Sequence, residues 1–313
     1  FVLEMMYEII YETKFEDEKR LREIIARIKS RMESNMTGSG HTVAMLSAMA
    51  QFSPSSYYSD ILRGYQYYEF IEKADRDFDS MKEMLAENLK RTAALIFTKE
   101  NLTVSFTAED DGLELLQKPM TEFVAKLAQS QEKDAVRTFR PVKEKTAYTS
   151  SSQVQYVARC GNYRKAGYEY TGALKVLKII FSYDYLWLNV RVKGGGYGCM
   201  SGFRRSGESY FVSYRDPHLR RTLEVYQGVP EYVRTFQADE RELTKYIIGT
   251  ISGKDVPRTP QSQGALGRMA YFRGLTVEML QKERDQILDA TVEDIHALAP
   301  LIEAILADDQ ICV

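Results

Sequence analysis

The sequence predicts an α+β protein with helices packed on one face of antiparallel sheets. Three observations carry that prediction. Amphipathic helical periodicity fills most of the chain. Short segments of strand character recur, NLTVSFTAE at 101–109, TSSSQVQYVARCGNY at 149–163, YGCMSGF at 197–203 and ESYFVSYR at 208–215. The polar tetrapeptide RRSG joins the last two as a hairpin. A length of 313 residues suits two regions of ordinary domain size.

In the first region, Leu21, Ile24, Ile25, Ile28 and Met32 fall at steps of three and four, one stripe of an amphipathic helix that NMTGSGHT should end. A short helix is predicted over 43–52, up to the break at Pro54. A tyrosine-rich helix over 56–74 and another over 79–92 follow. Leu102, Val104 and Phe106 alternate with polar neighbours and predict a half-buried strand, and a helix over 113–127 closes the region. From 128 to 145 the composition turns polar and charged, which marks a linker at 129–145 between regions 1–128 and 146–313. The second region should hold a strand, a long apolar helix over 172–190, the hairpin, and helices over 218–236, 239–251, 263–272, 276–288 and 292–306. Thr291, followed by Glu293 and Asp294, predicts an N-cap with an acidic first turn. QICV begins a last strand, and both chain ends read as cut from a longer protein.

Composition narrows the function. Hydrophobic residues at 44% and charged residues at 27% suit a globular chain. A net charge of −2 gives no general affinity for nucleic acid, and no apolar run reaches the roughly 18 residues of a membrane span. Cys160, Cys199 and Cys312 are too few and scattered for a disulfide framework, which favours a reducing compartment, most simply the cytoplasm. His41, His218 and His296 stand far apart and form no metal-ligand spacing. Cys199, inside a predicted strand, reads as an apolar filler rather than a nucleophile.

What remains is RVKGGGYGCM at 191–200. Glycine loses more backbone freedom on folding than any other residue, so Gly194, Gly195 and Gly196 in a row need a reason. A phosphate-cradling loop is one, although such loops follow a strand and precede a helix, the reverse of the order here. A helix-ending turn is a second. The third is a backbone that lies close to a ligand, with Arg191 and Tyr197 aimed at it. A sharp turn would let those two side chains share one pocket, the guanidinium donating to carbonyl oxygen and the phenol to an oxygen gaining charge.

These residues also resemble a known family. VRVKGGGYGCMSGF, the following GESYFVSYRDPHLRRTLEVYQGVPEYV and the upstream SGHTVAMLSAMAQFSPSSYYSDILRGYQYYEFIE are similar to the C-terminal half of presequence proteases, pitrilysin/insulinase-type zinc metallopeptidases that degrade peptides. The resemblance implies two metallopeptidase-type repeats, each an antiparallel sheet with helices on one face. The first would be incomplete (1–128) and the fourth of the enzyme truncated at its end (146–313). It implies partners as well: the N-terminal half of the same polypeptide, which would hold the zinc and enclose unfolded peptides together with this half. Tyr197 would then hydrogen-bond the scissile carbonyl, and Arg191 and the backbone of Gly194 to Gly196 would bind substrate. No zinc motif is present, so the chain alone is expected to be inactive and metal-free. The alternative is a non-catalytic binding or assembly module of the same fold.

Overall fold

A computed structural model describes residues 1–130, 139, 145–149 and 152–313. The expected linker at 129–145 therefore lies mostly outside the described residues. The chain forms two compact units built from interleaved stretches, one from described residues within 1–30, 70–138 and 257–275, the other within 31–69, 139–256 and 276–313.

In chain order the elements are α1 (Val2–Tyr11), α2 (Glu18–Gly38), α3 (Gly40–Ala50), α4 (Pro54–Arg63), α5 (Tyr65–Arg76), α6 (Phe78–Ile96) and α7 (Asp110–Lys126). Then come β1 (Ala158–Asn162), α8 (Ala173–Tyr183), β2 (Gly198–Phe203), β3 (Glu208–Tyr214), α9 (Leu219–Gln227), α10 (Val229–Arg234) and α11 (Glu240–Ser252). The chain continues through α12 (Pro260–Arg273), α13 (Val277–Leu288), α14 (Val292–His296) and α15 (Ala299–Ala307) to β4 (Gln310–Cys312). The predicted α+β class, an antiparallel sheet with helices against it, is the architecture found.

The sheet lies in the second unit, with strand order β2-β3-β1-β4 and every pairing antiparallel. The predicted hairpin forms: Gly207 takes φ 90°, a left-handed position that glycine occupies without strain, and Arg204 N–H donates to Glu208 O at 2.9 Å. Side chains alternate across the sheet as the two-residue period requires. One face meets α8, α9, α10 and α13 to α15 through Leu177, Ile180, Phe181, Phe211, Tyr226 and Ile302, all fully buried. Each aliphatic or phenyl side chain buried this way contributes about 1.5–3 kcal/mol. The other face, bearing Ala158, Cys160, Val212 and Cys312, receives Ala44, Ala48 and Met49 of α3. Gly161 of β1 is required by close packing, because a Cβ there would lie 2.0 Å from Ile305 O of α15.

The first unit is helical, with Ile25, Phe78, Leu85 and Phe123 in its interior. The strand expected over 102–106 does not form: residues 102–109 carry no regular structure, and Val104 and Phe106 are about half exposed. Alternation supplied the right residues, but a strand also needs a partner for its N–H and C=O groups, and none lies beside it among the described residues. The first region therefore shows an isolated Thr98–Ala128 bridge and no sheet among its described residues.

Other differences are breaks. The helix expected over 56–74 starts at Pro54, with the Ser53 hydroxyl accepting from Ser56 N–H, and divides at Gly64. The one over 218–236 divides at Gly228, and the one over 292–306 ends at His296 and restarts at Ala299 beside Pro300. The helix of 18–38 runs on through the polar NMTG that should have ended it. Thr291 caps α14 in a reciprocal capping box with Asp294.

Candidate functional site

The helix expected over 172–190 is two pieces: α8 ends at Asp184, and a π-helical turn, Trp187–Val192, follows. Its signature is the five-residue step from Lys193 N–H to Leu188 O, 2.8 Å. Gly195 N–H then donates to Arg191 O at 3.0 Å and Gly196 N–H to Val190 O at 2.9 Å, satisfying carbonyls left open at the helix end.

Each of the three glycines has its own reason. Gly195 sits at φ 76°. A Cβ on Gly194 would lie 2.4 Å from Val190 O, and one on Gly196 would lie 3.0 Å from the same atom. The surplus of glycine thus has a structural explanation in a chain that folds tightly back onto the π turn. Gly198 is different, since a Cβ there would meet nothing within 4 Å.

The turn brings Arg191 and Tyr197 together. The Arg191 guanidinium carbon lies 5.0 Å from the Tyr197 ring centroid and 4.4 Å from that of Trp187. Arg191 Nη1 donates to the Tyr197 main-chain oxygen. The Tyr197 side chain reaches solvent, the residue being 62% exposed.

Behind Tyr197 lies a fixed frame. Its N–H is shared between Tyr214 O at 3.0 Å and Arg215 O at 3.3 Å. The Tyr214 ring meets the Tyr197 ring edge-on at 5.7 Å, and its hydroxyl donates to Gly38 O at 3.2 Å. The His41 ring packs edge-on against Tyr214 at 4.9 Å, and burial lowers its pKa, so it is a neutral packing partner at pH 7. Arg215 takes φ 48°, unusual for a non-glycine residue. The buried Asp216 carboxylate holds that reversal by accepting from His218 N–H at 2.8 Å and the Thr222 hydroxyl at 2.6 Å. Asp216 and Gln155 also exchange main-chain hydrogen bonds of 2.8 and 2.9 Å.

Trp187, Tyr214 and Asp216 were not singled out from the sequence. YRDP held the only local signal for the last two, while the ring contacts depend on strand register and the π turn.

The remaining candidates have other roles. The Cys199 thiol packs 3.7 Å from the Tyr226 hydroxyl, and burial pushes its pKa up to about 12, which keeps it protonated and unreactive at neutral pH. His296 Nε2 lies 2.6 Å from Phe236 O. Among the described residues no group of three or more His, Cys, Asp or Glu side chains is arranged to hold a metal, so a zinc site does not fit them. No helix among them is long and apolar enough to cross a membrane.

Residues 145–313 match the family described as PreP C-terminal domain, and residues 1–73 match a family described as associated with peptidase M16, subfamily C. Protein HypA of Clostridium perfringens is 38% identical over 314 residues, covering 99% of this chain and 32% of that protein. Presequence protease 1, chloroplastic/mitochondrial, of Arabidopsis thaliana is 29% identical over 303 residues, covering 96% of this chain and 28% of that one. The chain thus spans about a third of the length of the curated relatives it matches. In fold it is similar to the crystal structure of pitrilysin, with a TM-score of 0.60 at 12% identity over 95% of this chain and 31% of that one. The peptidase M16 inactive domain from Pseudomonas fluorescens gives a TM-score of 0.53 at 17% identity over 93% and 69%.

Proposed function

Since this chain belongs to the PreP C-terminal domain family, we propose that it is the C-terminal, substrate-enclosing half of a zinc metalloendopeptidase that degrades unfolded peptides in a closed chamber. Its partner in that enzyme is the N-terminal half of the same polypeptide, which carries the zinc ligands this chain lacks. The chain alone is then inactive. The proposal keeps the repeats at 1–128 and 146–313 with the linker at 129–145, and a cytoplasmic setting, which low cysteine content supports.

The observation that carries the reading is the π turn and glycine fold-back that bring Arg191 beside an exposed Tyr197. The Tyr197 hydroxyl donates to the scissile carbonyl oxygen as negative charge develops there. A donor aimed at the transition state raises turnover rather than ground-state affinity. Arg191 donates to a substrate backbone carbonyl next to the cleavage point, where its planar fork suits an oxygen acceptor. The backbone of Gly194 to Gly196 lets the extended peptide approach.

A peptide-cleavage assay tests this reading, with this chain mixed with the separately produced remainder of its polypeptide. Cleavage in the mixture and in neither part alone is the expected result. A mixture that associates yet cleaves nothing overturns the reading and supports a non-catalytic module.

A further inference from the structure

Trp187 is the single tryptophan of the chain and is 40% exposed, with Leu188 and Val192 of the same turn also open to solvent. A large apolar ring left in water needs a partner or a task. Its partner is Arg191, four residues on, whose guanidinium lies 4.4 Å from the indole centroid on one side and 5.0 Å from the Tyr197 ring on the other. Tyr197 is in turn braced by Tyr214, so the aromatic arrangement is anchored in β3. An arginine side chain otherwise holds one of the largest stores of rotamer freedom, which a substrate contact would have to remove.

We propose that Trp187 is a positioning residue, whose indole face holds the Arg191 guanidinium beside Tyr197 before substrate arrives. The donors of Arg191 not used on the Tyr197 carbonyl then meet a peptide carbonyl with the side chain already ordered. The proposal rests on the reading of Arg191 as a substrate ligand, and its test separates the two. An exposed cation–π contact of this kind is worth about two- to fivefold in an equilibrium constant.

The first arm uses the intact polypeptide and a fluorogenic peptide, with kcat and KM measured for Trp187→Ala, Trp187→Phe, Arg191→Ala and the double variant Trp187→Ala/Arg191→Ala. Trp187→Ala lowers kcat/KM by about two- to fivefold, Trp187→Phe recovers most of it because a flat ring remains, and the alanine at 187 costs nothing further once Arg191 is gone. An equal loss from Trp187→Ala in both backgrounds overturns the proposal and leaves Arg191 as a substrate ligand. Wild-type kcat/KM in Arg191→Ala overturns the Arg191 reading, and this proposal with it.

The second arm needs no activity. On the 313-residue chain, whose emission comes from Trp187 alone, Arg191→Ala increases acrylamide quenching while the far-ultraviolet circular dichroism stays the same. Unchanged quenching shows that the contact does not exist in solution and overturns the proposal.

Discussion

Replacing Glu283 by glutamine should remove a pH-dependent part of the stability of the sheet-bearing unit. Glu283 on α13 is 4% exposed, yet its carboxylate lies 2.8 Å from Lys175 Nζ of α8, 2.6 Å from Lys254 Nζ just beyond α11, and beside Arg205 of the β2–β3 turn. Arg205 also stacks 4.5 Å over the Tyr170 ring. Burial alone would raise the carboxyl pKa, but hydrogen bonds from Lys175 and Lys254 and their charges outweigh it and hold the group down at about 2, against an ordinary 4.5.

Each pH unit between those values is worth about 1.4 kcal/mol, so the gap corresponds to ~3 kcal/mol. The cations are 23–40% exposed, and solvent screening brings the expected contribution to about 2–3 kcal/mol. The folded pKa lies below the unfolded one, so the contribution is complete above pH 4.5 and disappears as the pH falls toward 2. Glu283→Gln preserves shape while leaving three cations around a neutral amide. Urea unfolding followed by the emission of Trp187, which belongs to the same compact unit, measures the difference. The variant should lose about 2–3 kcal/mol at pH 7 and less than half as much at pH 3. A penalty equal at the two pH values, or under about 0.5 kcal/mol at pH 7, would refute the reasoning.

The glycine turn gives a paired prediction, read by thermal unfolding. Gly194→Ala should destabilise by about 1–3 kcal/mol, since its methyl group meets the Val190 carbonyl. Gly198→Ala, with open space at its Cβ, should stay within about 0.5 kcal/mol of wild type.

Local signals were legible where one element sufficed. The β2–β3 hairpin followed from alternation and the Gly207 turn, and the α14 start from Thr291 and Asp294. Whatever needed a distant partner was not. Residues 101–109 have strand chemistry without a pairing strand, and α3 covers the second sheet face through contacts more than 100 residues apart in sequence. Helical periodicity also carried across Gly64, Gly228 and Pro300, because the apolar stripe resumes in phase after each break. At the site, Arg191 and Tyr197 could be named from their spacing around the glycines. The glycines invited too functional a reading, since the Val190 carbonyl and the left-handed Gly195 already require them. Trp187 stayed hidden because its value lies in a π turn that no residue pattern announced.

The central claim is that Tyr197 belongs to a peptidase active site, and turnover of Tyr197→Phe in the intact polypeptide tests it most directly. Removing one hydroxyl from an exposed ring leaves the main-chain bonds to Tyr214 and Arg215 in place, so folding should be unchanged. The account predicts that kcat falls by ~10²–10³ with far smaller change in KM. Near wild-type kcat in that variant would contradict it.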